Sequence, residues 1–168
     1  MGPDPGAQAG RLIVVTGLPG SGKTTLSCDL AERMGAARMC PDDWMTASGV
    51  DLWDAELRSR IEGFQLEATL VLLARGQSVI IEWGVWTKAE RDDLRDAARA
   101  VGAAVELRYL TAPVDELWSR IVQRDREGRW GSRSITRAEL EEWWTAYEPP
   151  DDAELATYDP PARGDRRP

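Results

Sequence analysis

The feature that most constrains the fold is an eight-residue segment, Gly-Leu-Pro-Gly-Ser-Gly-Lys-Thr, at positions 17–24. It follows a short β-branched run at 12–16 and precedes a stretch with apolar residues at helical spacing, so it lies between a predicted strand and a predicted helix. Its spacing matches G-x-x-x-x-G-K-[ST], in which glycines let backbone N–H groups converge on phosphate oxygens and the helix adds its positive end. The segment therefore predicts a phosphate-binding loop in an α/β fold.

The loop also predicts individual roles. Lys23 is expected to reach the β- and γ-phosphates of a nucleoside triphosphate, and the Thr24 hydroxyl is expected to help hold Mg²⁺. The predicted nucleotide contacts are Gly17, Leu18, Pro19, Gly20, Ser21, Gly22, Lys23, Thr24 and Thr25. A GTPase is one alternative, but guanine recognition usually needs Asn/Thr-Lys-x-Asp, and residues 87–90 read Thr-Lys-Ala-Glu. That segment is also a capping box, which gives it a sufficient structural role.

The body of the chain alternates short apolar runs with amphipathic stretches, which predicts one domain over residues 11–158. Such alternation is typical of a mostly parallel sheet covered by helices on both faces. The predicted strands are 12–16, 37–40, 78–82 and 104–110, and the predicted helices are 22–34, 52–74, 87–101, 113–123 and 136–147. Residues 155–158 could form a short last strand or belong to the tail. Residues 1–10 and 159–168 are predicted to be disordered.

Composition excludes several classes of protein. The formal net charge of −8 disfavours nucleic acids and anionic membranes as partners. No apolar run is long enough to span a membrane and the start lacks an export signal, so we expect a cytoplasmic protein. The chain has no histidine, and any general base is therefore expected to be a carboxylate. Two cysteines, Cys28 and Cys40, are too few for a disulfide framework and read as apolar fillers.

Two acidic positions follow predicted strands. Asp42 comes directly after the second strand and Pro41, at the edge of the sheet where ligands bind, and could accept the proton of an attacking hydroxyl. Asp43 is the next candidate, and the alternative for both is a turn or helix cap after proline. Glu82 ends the third strand and is a candidate second Mg²⁺ carboxylate, unless it is a solvated strand end.

Arginines concentrate in one segment of this acidic chain, five of them in residues 120–133. Guanidinium groups stabilise charge on a transferring phosphoryl group, so we expect a lid at about 124–135. Arg124 and Arg126 are the predicted catalytic members, and Arg120 and Arg129 the predicted nucleotide contacts. The alternative is a solvated face paired with neighbouring acids.

Tryptophan is unusually frequent, with eight residues. Four of them cluster in the sequence around the two acidic strand ends, and aromatic walls with a few polar groups are typical of a small-molecule pocket. The predicted acceptor-binding residues are these four tryptophans, Trp44, Trp53, Trp83 and Trp86, together with Asp43. Trp143, Trp144 and Tyr147 follow a helical stripe and are predicted to be core.

Five segments together resemble a known group of proteins. They are the loop at 17–26, Pro-Asp-Asp-Trp-Met at 41–45, Trp-Gly-Val-Trp-Thr-Lys-Ala-Glu-Arg at 83–91, Asp-Glu-Leu-Trp-Ser-Arg at 115–120 and Gln-Arg-Asp at 123–125. The group is the bacterial AAA-type ATPases of the small-kinase kind, whose relatives include chloramphenicol phosphotransferase, the zeta toxins and the kinase domain of polynucleotide kinases. The resemblance covers about residues 11–158. It implies the adenylate-kinase-like P-loop fold, a three-layer arrangement with a central parallel sheet and an arginine-bearing lid.

The resemblance also implies residue roles. The Asp after the second strand is the general base in such kinases, which corresponds to Asp42, and the lid arginines correspond most securely to Arg124. Polynucleotide kinases carry an arginine three residues beyond that Asp, where this chain has Met45. The group commonly has Asp at the position of Glu82, which puts the metal role of Glu82 in doubt.

The sequence thus predicts an ATP- and Mg²⁺-dependent kinase that phosphorylates a hydroxyl of a small acceptor, such as an antibiotic, a nucleoside or a sugar-like metabolite. Two alternatives stay open. One is a kinase acting on 5′-hydroxyl polynucleotides or nucleotides, and the other is a nucleotide-binding regulatory protein without an acceptor. The sequence carries no signal for an oligomeric state.

Overall fold

The computed structural model describes residues 10–128 and 133–162. Within these residues, four strands form one parallel sheet in the order β2-β3-β1-β4. The strands are β1 Arg11–Thr16, β2 Ala37–Met39, β3 Val79–Ile81 and β4 Ala104–Tyr109. The helices are α1 Lys23–Met34, α2 Pro41–Ala47, α3 Ala55–Ala74, α4 Lys88–Ala100, α5 Val114–Arg126, α6 Arg137–Ala146 and α7 Asp152–Leu155. The predicted α/β class with a central parallel sheet is confirmed.

The central strand β1 determines how the layers are built. Side chains alternate between the two faces of a strand, so successive residues of β1 enter different cores. Leu12 and Val14 pack with Leu94 and Ala98 of α4, whereas Ile13 and Val15 pack with Leu30 of α1. Both faces of the sheet are therefore covered, as a three-layer fold requires.

Parallel pairing also places the strand ends. Because β1 pairs in parallel with β3 and β4, and β3 pairs in parallel with β2, their carboxyl ends lie at one edge of the sheet. The segment 17–24 leaves β1 there, Asp42 follows β2 and Glu82 follows β3. The three sequence features thus meet at the edge where ligands bind in such sheets.

The buried face of α3 differs from the one that the apolar spacing predicts. Apolar residues at helical spacing predict a buried stripe made of Leu57, Ile61, Phe64, Ala68 and Val71. In the structure, however, the side chains of Phe64 and Val71 are 57% and 51% exposed. The buried positions are Ile61, Gln65, Thr69 and Leu73. Two of them are polar, and the indole Nε1 of Trp83 donates a hydrogen bond to Gln65 Oε1 (2.8 Å), which helps to explain how this face is accommodated in the core.

The C-terminal segment packs on the domain where the sequence suggested a strand or a tail. Residues 152–155 form α7, and Glu154 forms a buried ion pair with Arg91 of α4. Asp159, expected in the disordered tail, donates its backbone N–H to Val105 O (2.8 Å) and accepts a bond from Val105 N (2.7 Å). Long-range pairing therefore orders this stretch. None of the helices in the described ranges is long and apolar enough to cross a membrane.

Candidate functional site

The segment 17–24 forms a turn that glycine makes possible. Gly17, Gly20 and Gly22 have φ angles of 150°, 82° and 97°, and Gly22 is the residue that precedes α1. A Cβ at Gly17 would lie 2.3 Å from the carbonyl oxygen of Leu110, and one at Gly20 would lie 2.7 Å from that of Leu117. Both positions therefore need glycine for space as well as for backbone angle. The open turn and the N-terminus of α1 form a cradle that suits phosphate oxygens.

Lys23 is folded back onto this turn. Its Nζ donates a hydrogen bond to the carbonyl oxygen of Leu18 (3.1 Å). Burial lowers the pKa of Lys23 to about 8, with Arg124 acting in the same direction and Glu82 and Asp42 opposing it. An anion placed beside the ammonium group of Lys23 would favour its charged form. The phosphates of a nucleoside triphosphate would be such an anion.

Thr24 and Glu82 lie side by side, as the metal assignment requires. The Thr24 hydroxyl donates to Glu82 Oε1, and Glu82 is 7% exposed. Among the described residues no cluster of three or more Cys, Asp or Glu forms a complete cation site. A hydroxyl and one carboxylate nevertheless fit Mg²⁺, which keeps several waters and usually takes its remaining oxygens from substrate phosphates.

Arg38 of β2 is a site residue that the sequence did not reveal. Its Nη1 donates to Glu82 and its Nη2 donates to Asp43. Nothing in the local pattern of β2 distinguishes this arginine, because the contact depends on the pairing of β2 with β3. Arg38 therefore balances the charge of Glu82 and holds Asp43 away from the cleft.

Asp42 faces a cleft of about 480 Å³ that it shares with the glycine-rich turn at 17–24. Arg58 of α3 donates from Nη2 to Asp42 Oδ1 (2.5 Å) and to the carbonyl oxygen of Leu52 (3.1 Å). Arg58 was not predicted as a site residue. Its spacing of four residues from Glu62, another residue of the cleft, was the one available signal.

Two predicted acceptor-binding residues lie elsewhere. Asp43 and Trp44 follow Asp42 on α2, where successive side chains point in directions about 100° apart. Neither lines the cleft, Trp44 is 41% exposed, and Asp43 pairs with Arg38. The structure therefore places Trp44 outside the cleft, although the sequence predicted it in the acceptor wall. The segment that begins at Pro41 is a helix, which turns the side chain of Trp44 away from that of Asp42.

Tryptophans line part of the cleft. The lining includes Trp53, Trp83 and Trp86, whose role in binding an acceptor stays a prediction, and Trp143, which the sequence predicted to be core. The Trp143 ring lies 6.4 Å from that of Trp53 and 5.7 Å from that of Trp86, measured between centroids. Of the other two predicted core residues on this stripe, Tyr147 is buried and Trp144 is 43% exposed.

The arginines of residues 120–133 divide between the cleft and its surroundings. Arg124 lines the cleft, and its charge acts on Lys23. Arg120 donates to the carbonyl oxygen of Gly20 (3.2 Å) and pairs with Glu116. Arg126 lies along an outer groove of α5, and Arg129 lies outside the described residues. The predicted lid at 124–135 thus begins inside a helix, since α5 continues to Arg126.

The chain was compared with known families and known proteins. The family model of the AAA domain matches residues 12–150. No curated protein shows significant sequence similarity to the chain.

Solved structures with the same fold include kinases. A provisionally named kinase from Chloroflexus aurantiacus is 25% identical, with a TM-score of 0.64 over 82% of this chain and 76% of its own. A chain of the Pnkp1/Rnl/Hen1 RNA repair complex is 19% identical, with a TM-score of 0.73 over 95% of this chain and 49% of its own. A gluconokinase from Sinorhizobium meliloti is 22% identical, with a TM-score of 0.53 over 86% of this chain and 78% of its own. The fold is that of P-loop kinases.

Proposed function

The chain belongs to the family of AAA domains, and from this premise we propose that it is a kinase that moves the γ-phosphate of ATP to a hydroxyl of a small-molecule acceptor. The observation that carries the proposal is one cleft lined by both the phosphate-binding turn and Asp42, with an aromatic wall beyond them. A phosphotransferase needs a site for the phosphate donor and a site for the acceptor. The turn would form the donor end of the cleft, and the aromatic wall would form the acceptor end.

At the donor end, the backbone N–H groups of the turn and the Lys23 ammonium bind the phosphates. Thr24 and Glu82 would hold Mg²⁺, which neutralises charge on the phosphate oxygens when bound. Arg124 faces the same space, where its guanidinium stabilises the negative charge of the transferring group. Positive charge thus surrounds the position where the γ-phosphate must lie.

At the acceptor end, Asp42 accepts the proton of the attacking hydroxyl. The hydroxyl oxygen bonds to the γ-phosphorus while the bond from that phosphorus to the β–γ bridging oxygen breaks, and ADP leaves. Arg58 holds Asp42 through Oδ1, and among the described residues no hydrogen bond engages Oδ2. That oxygen is available to the acceptor, and the ion pair with Arg58 fixes its orientation.

The alternative acceptor, a 5′-hydroxyl polynucleotide, fits this cleft less well. Met45, at the position where polynucleotide kinases carry a phosphate-gripping arginine, is fully buried. The net charge of −8 also opposes approach of a nucleic acid. Labelling of a 5′-hydroxyl oligonucleotide at a rate comparable to that of the best small acceptor would overturn this preference.

The test is a phosphate-transfer screen of hydroxylated metabolites and antibiotics, read by mass gain on the acceptor, with Asp42→Asn and Asp43→Asn as matched variants. Asp42→Asn should keep ATP affinity within about twofold and lower transfer by about 10²- to 10⁴-fold, because an amide cannot accept the proton. Asp43→Asn, outside the cleft, should retain transfer. Equal activity of the two variants would remove Asp42 from the role of base, and ATP binding that no hydroxyl compound turns over would favour a regulatory protein.

A further inference from the structure

We propose that the acceptor carries a protonated amine beside its hydroxyl, and that Glu62 binds this amine at the aromatic end of the cleft. The inference rests on the proposed function and names the chemical class of acceptor for that site. Glu62 lies on α3 one helical turn after Arg58, is partly buried, and lines the cleft together with Trp53 and Trp86. It has no role in the transfer described above.

Lys23 and Glu62 have different charged neighbours. Those that act on Lys23 include Arg124 and Glu82, and those that act on Glu62 include Arg58 and Glu90. At the donor end the cations Lys23 and Arg124 line the cleft, and the carboxylate of Glu82 is paired with Arg38. At the acceptor end the charges of Arg58 and Asp42 balance in their ion pair, which leaves Glu62 in excess. Within the described ranges no side chain or backbone group donates a hydrogen bond to Glu62. A carboxylate in this position attracts a cation.

The burial of Glu62 and its charged neighbours also favour binding of a cation. Burial raises the pKa of Glu62, Arg58 lowers it, and Glu90 and Asp42 raise it further. The side chain therefore has an unfavourable negative charge that no neighbour fully compensates. An ammonium group of the acceptor would compensate it, and a charge-assisted hydrogen bond of this kind is about twice as strong as a neutral one.

The tryptophans of this end favour the same class of ligand. The faces of indole rings attract cations within about 6 Å of the centroid. Trp53 already contacts one cation on this principle, since the guanidinium carbon of Arg133 lies 3.6 Å from its ring centroid. Trp86 and Trp143 add further ring surface next to it. An amine would therefore be bound by a carboxylate and by aromatic faces together.

Acidic acceptors are correspondingly disfavoured. The cations in the described part of this end are Arg58 and Arg133, and they are paired with Asp42 and Glu139. A carboxylate or phosphate on the acceptor would have to displace one of these partners while lying beside Glu62. Like charges in such a half-buried site oppose binding.

The test uses matched acceptors that differ at the amine alone: glucosamine against N-acetylglucosamine, and kanamycin against its N-acetylated derivatives. Binding is followed by quenching of tryptophan fluorescence and transfer by mass gain, in the wild type, Glu62→Gln and Glu67→Gln. Glu67 is exposed on the same helix and serves as the control. Amine-bearing members should bind at least tenfold more tightly than their acetylated partners, and Glu62→Gln alone should abolish that preference.

The outcomes separate the two proposals. Acetylated members that bind and react as well as the free amines, or a preference that survives in Glu62→Gln, would overturn the amine assignment while leaving the kinase proposal intact. Amines that bind through Glu62 without receiving phosphate would support the assignment and contradict the kinase proposal. Failure of every amine to quench the wild-type protein would overturn the assignment.

Discussion

The buried ion pair between Arg91 and Glu154 allows a quantitative prediction of the free energy of unfolding of its variants. Arg91 Nε donates to Glu154 Oε1 (2.6 Å) and Nη2 donates to Oε2 (2.9 Å), with both side chains essentially inaccessible to solvent. Arg91 Nη1 also donates to the carbonyl oxygen of Trp86 (3.2 Å), a residue of the cleft. The pair therefore joins α4, α7 and the cleft wall.

Removing one partner should be far more harmful than removing both. Arg91→Met leaves the Glu154 carboxylate buried without a counter-charge, and breaking a buried pair in this way costs about 3–5 kcal/mol. That is a large part of the roughly 5–15 kcal/mol by which a domain is stable. The double variant Arg91→Met/Glu154→Leu removes both charges and fills the space with apolar atoms. Its free energy of unfolding should be close to that of the wild type, because the cost of desolvating an ion pair offsets most of the attraction between its charges.

Urea unfolding followed by tryptophan fluorescence measures these differences, provided that the slope of the unfolding free energy with urea stays constant among the variants. The two substitutions should not be additive: the free energy of unfolding of the double variant should be higher than that of Arg91→Met alone. A single variant within about 1 kcal/mol of the wild type, or a double variant as unstable as the sum of the two single ones, would refute the reasoning.

Two further predictions concern titratable groups. Burial raises the pKa of Cys40 to about 12, so a thiol reagent at pH 8 should label the native protein at the exposed Cys28, and Cys28→Ser should abolish the labelling. Burial likewise raises the pKa of Tyr147 to about 12, opposed by its hydrogen bond with Thr16. The folded state favours the neutral phenol of Tyr147. Its contribution to the free energy of unfolding is therefore complete below pH 10 and disappears as the pH rises toward 12. Urea unfolding from pH 9 to 12 should therefore show a loss of stability that is smaller in Tyr147→Phe.

The elements that local pattern determines could be predicted from the sequence. The phosphate-binding turn and the capping boxes at Thr87 and Thr136 depend on residues a few positions apart, and the structure forms both boxes. The strands were predicted to within one or two residues, because buried parallel strands are short apolar runs. The same pattern misjudged α3, where Gln65 and Thr69 are buried and apolar residues occur on the exposed face.

What the sequence could not supply were contacts between segments distant in the chain. Arg38 approaches Glu82 because β2 pairs with β3, and Arg58 approaches Asp42 because α2 packs against α3. Arg38 has no local signature, and the local signature of Arg58 is limited to its spacing of four residues from Glu62. The packing of the C-terminal segment depends in the same way on a distant contact, because Arg91 lies 63 positions before its partner Glu154.

These distant contacts also bear on the choice between the two adjacent carboxylates that the sequence left open. Because Pro41 begins a helix rather than a turn, Asp42 and Asp43 point in different directions, and each meets its own arginine. Arg38 draws Asp43 toward Glu82 and out of the cleft, whereas Arg58 approaches Asp42 from the acceptor side. The arrangement supports Asp42 as the base, and within the described residues it leaves Glu62 as a carboxylate of the cleft to which no arginine donates a hydrogen bond. If the proposed function is right, Arg38 and Arg58 thus pair with the carboxylates of Glu82 and Asp42, and Glu62 is the carboxylate that would meet a cation of the acceptor.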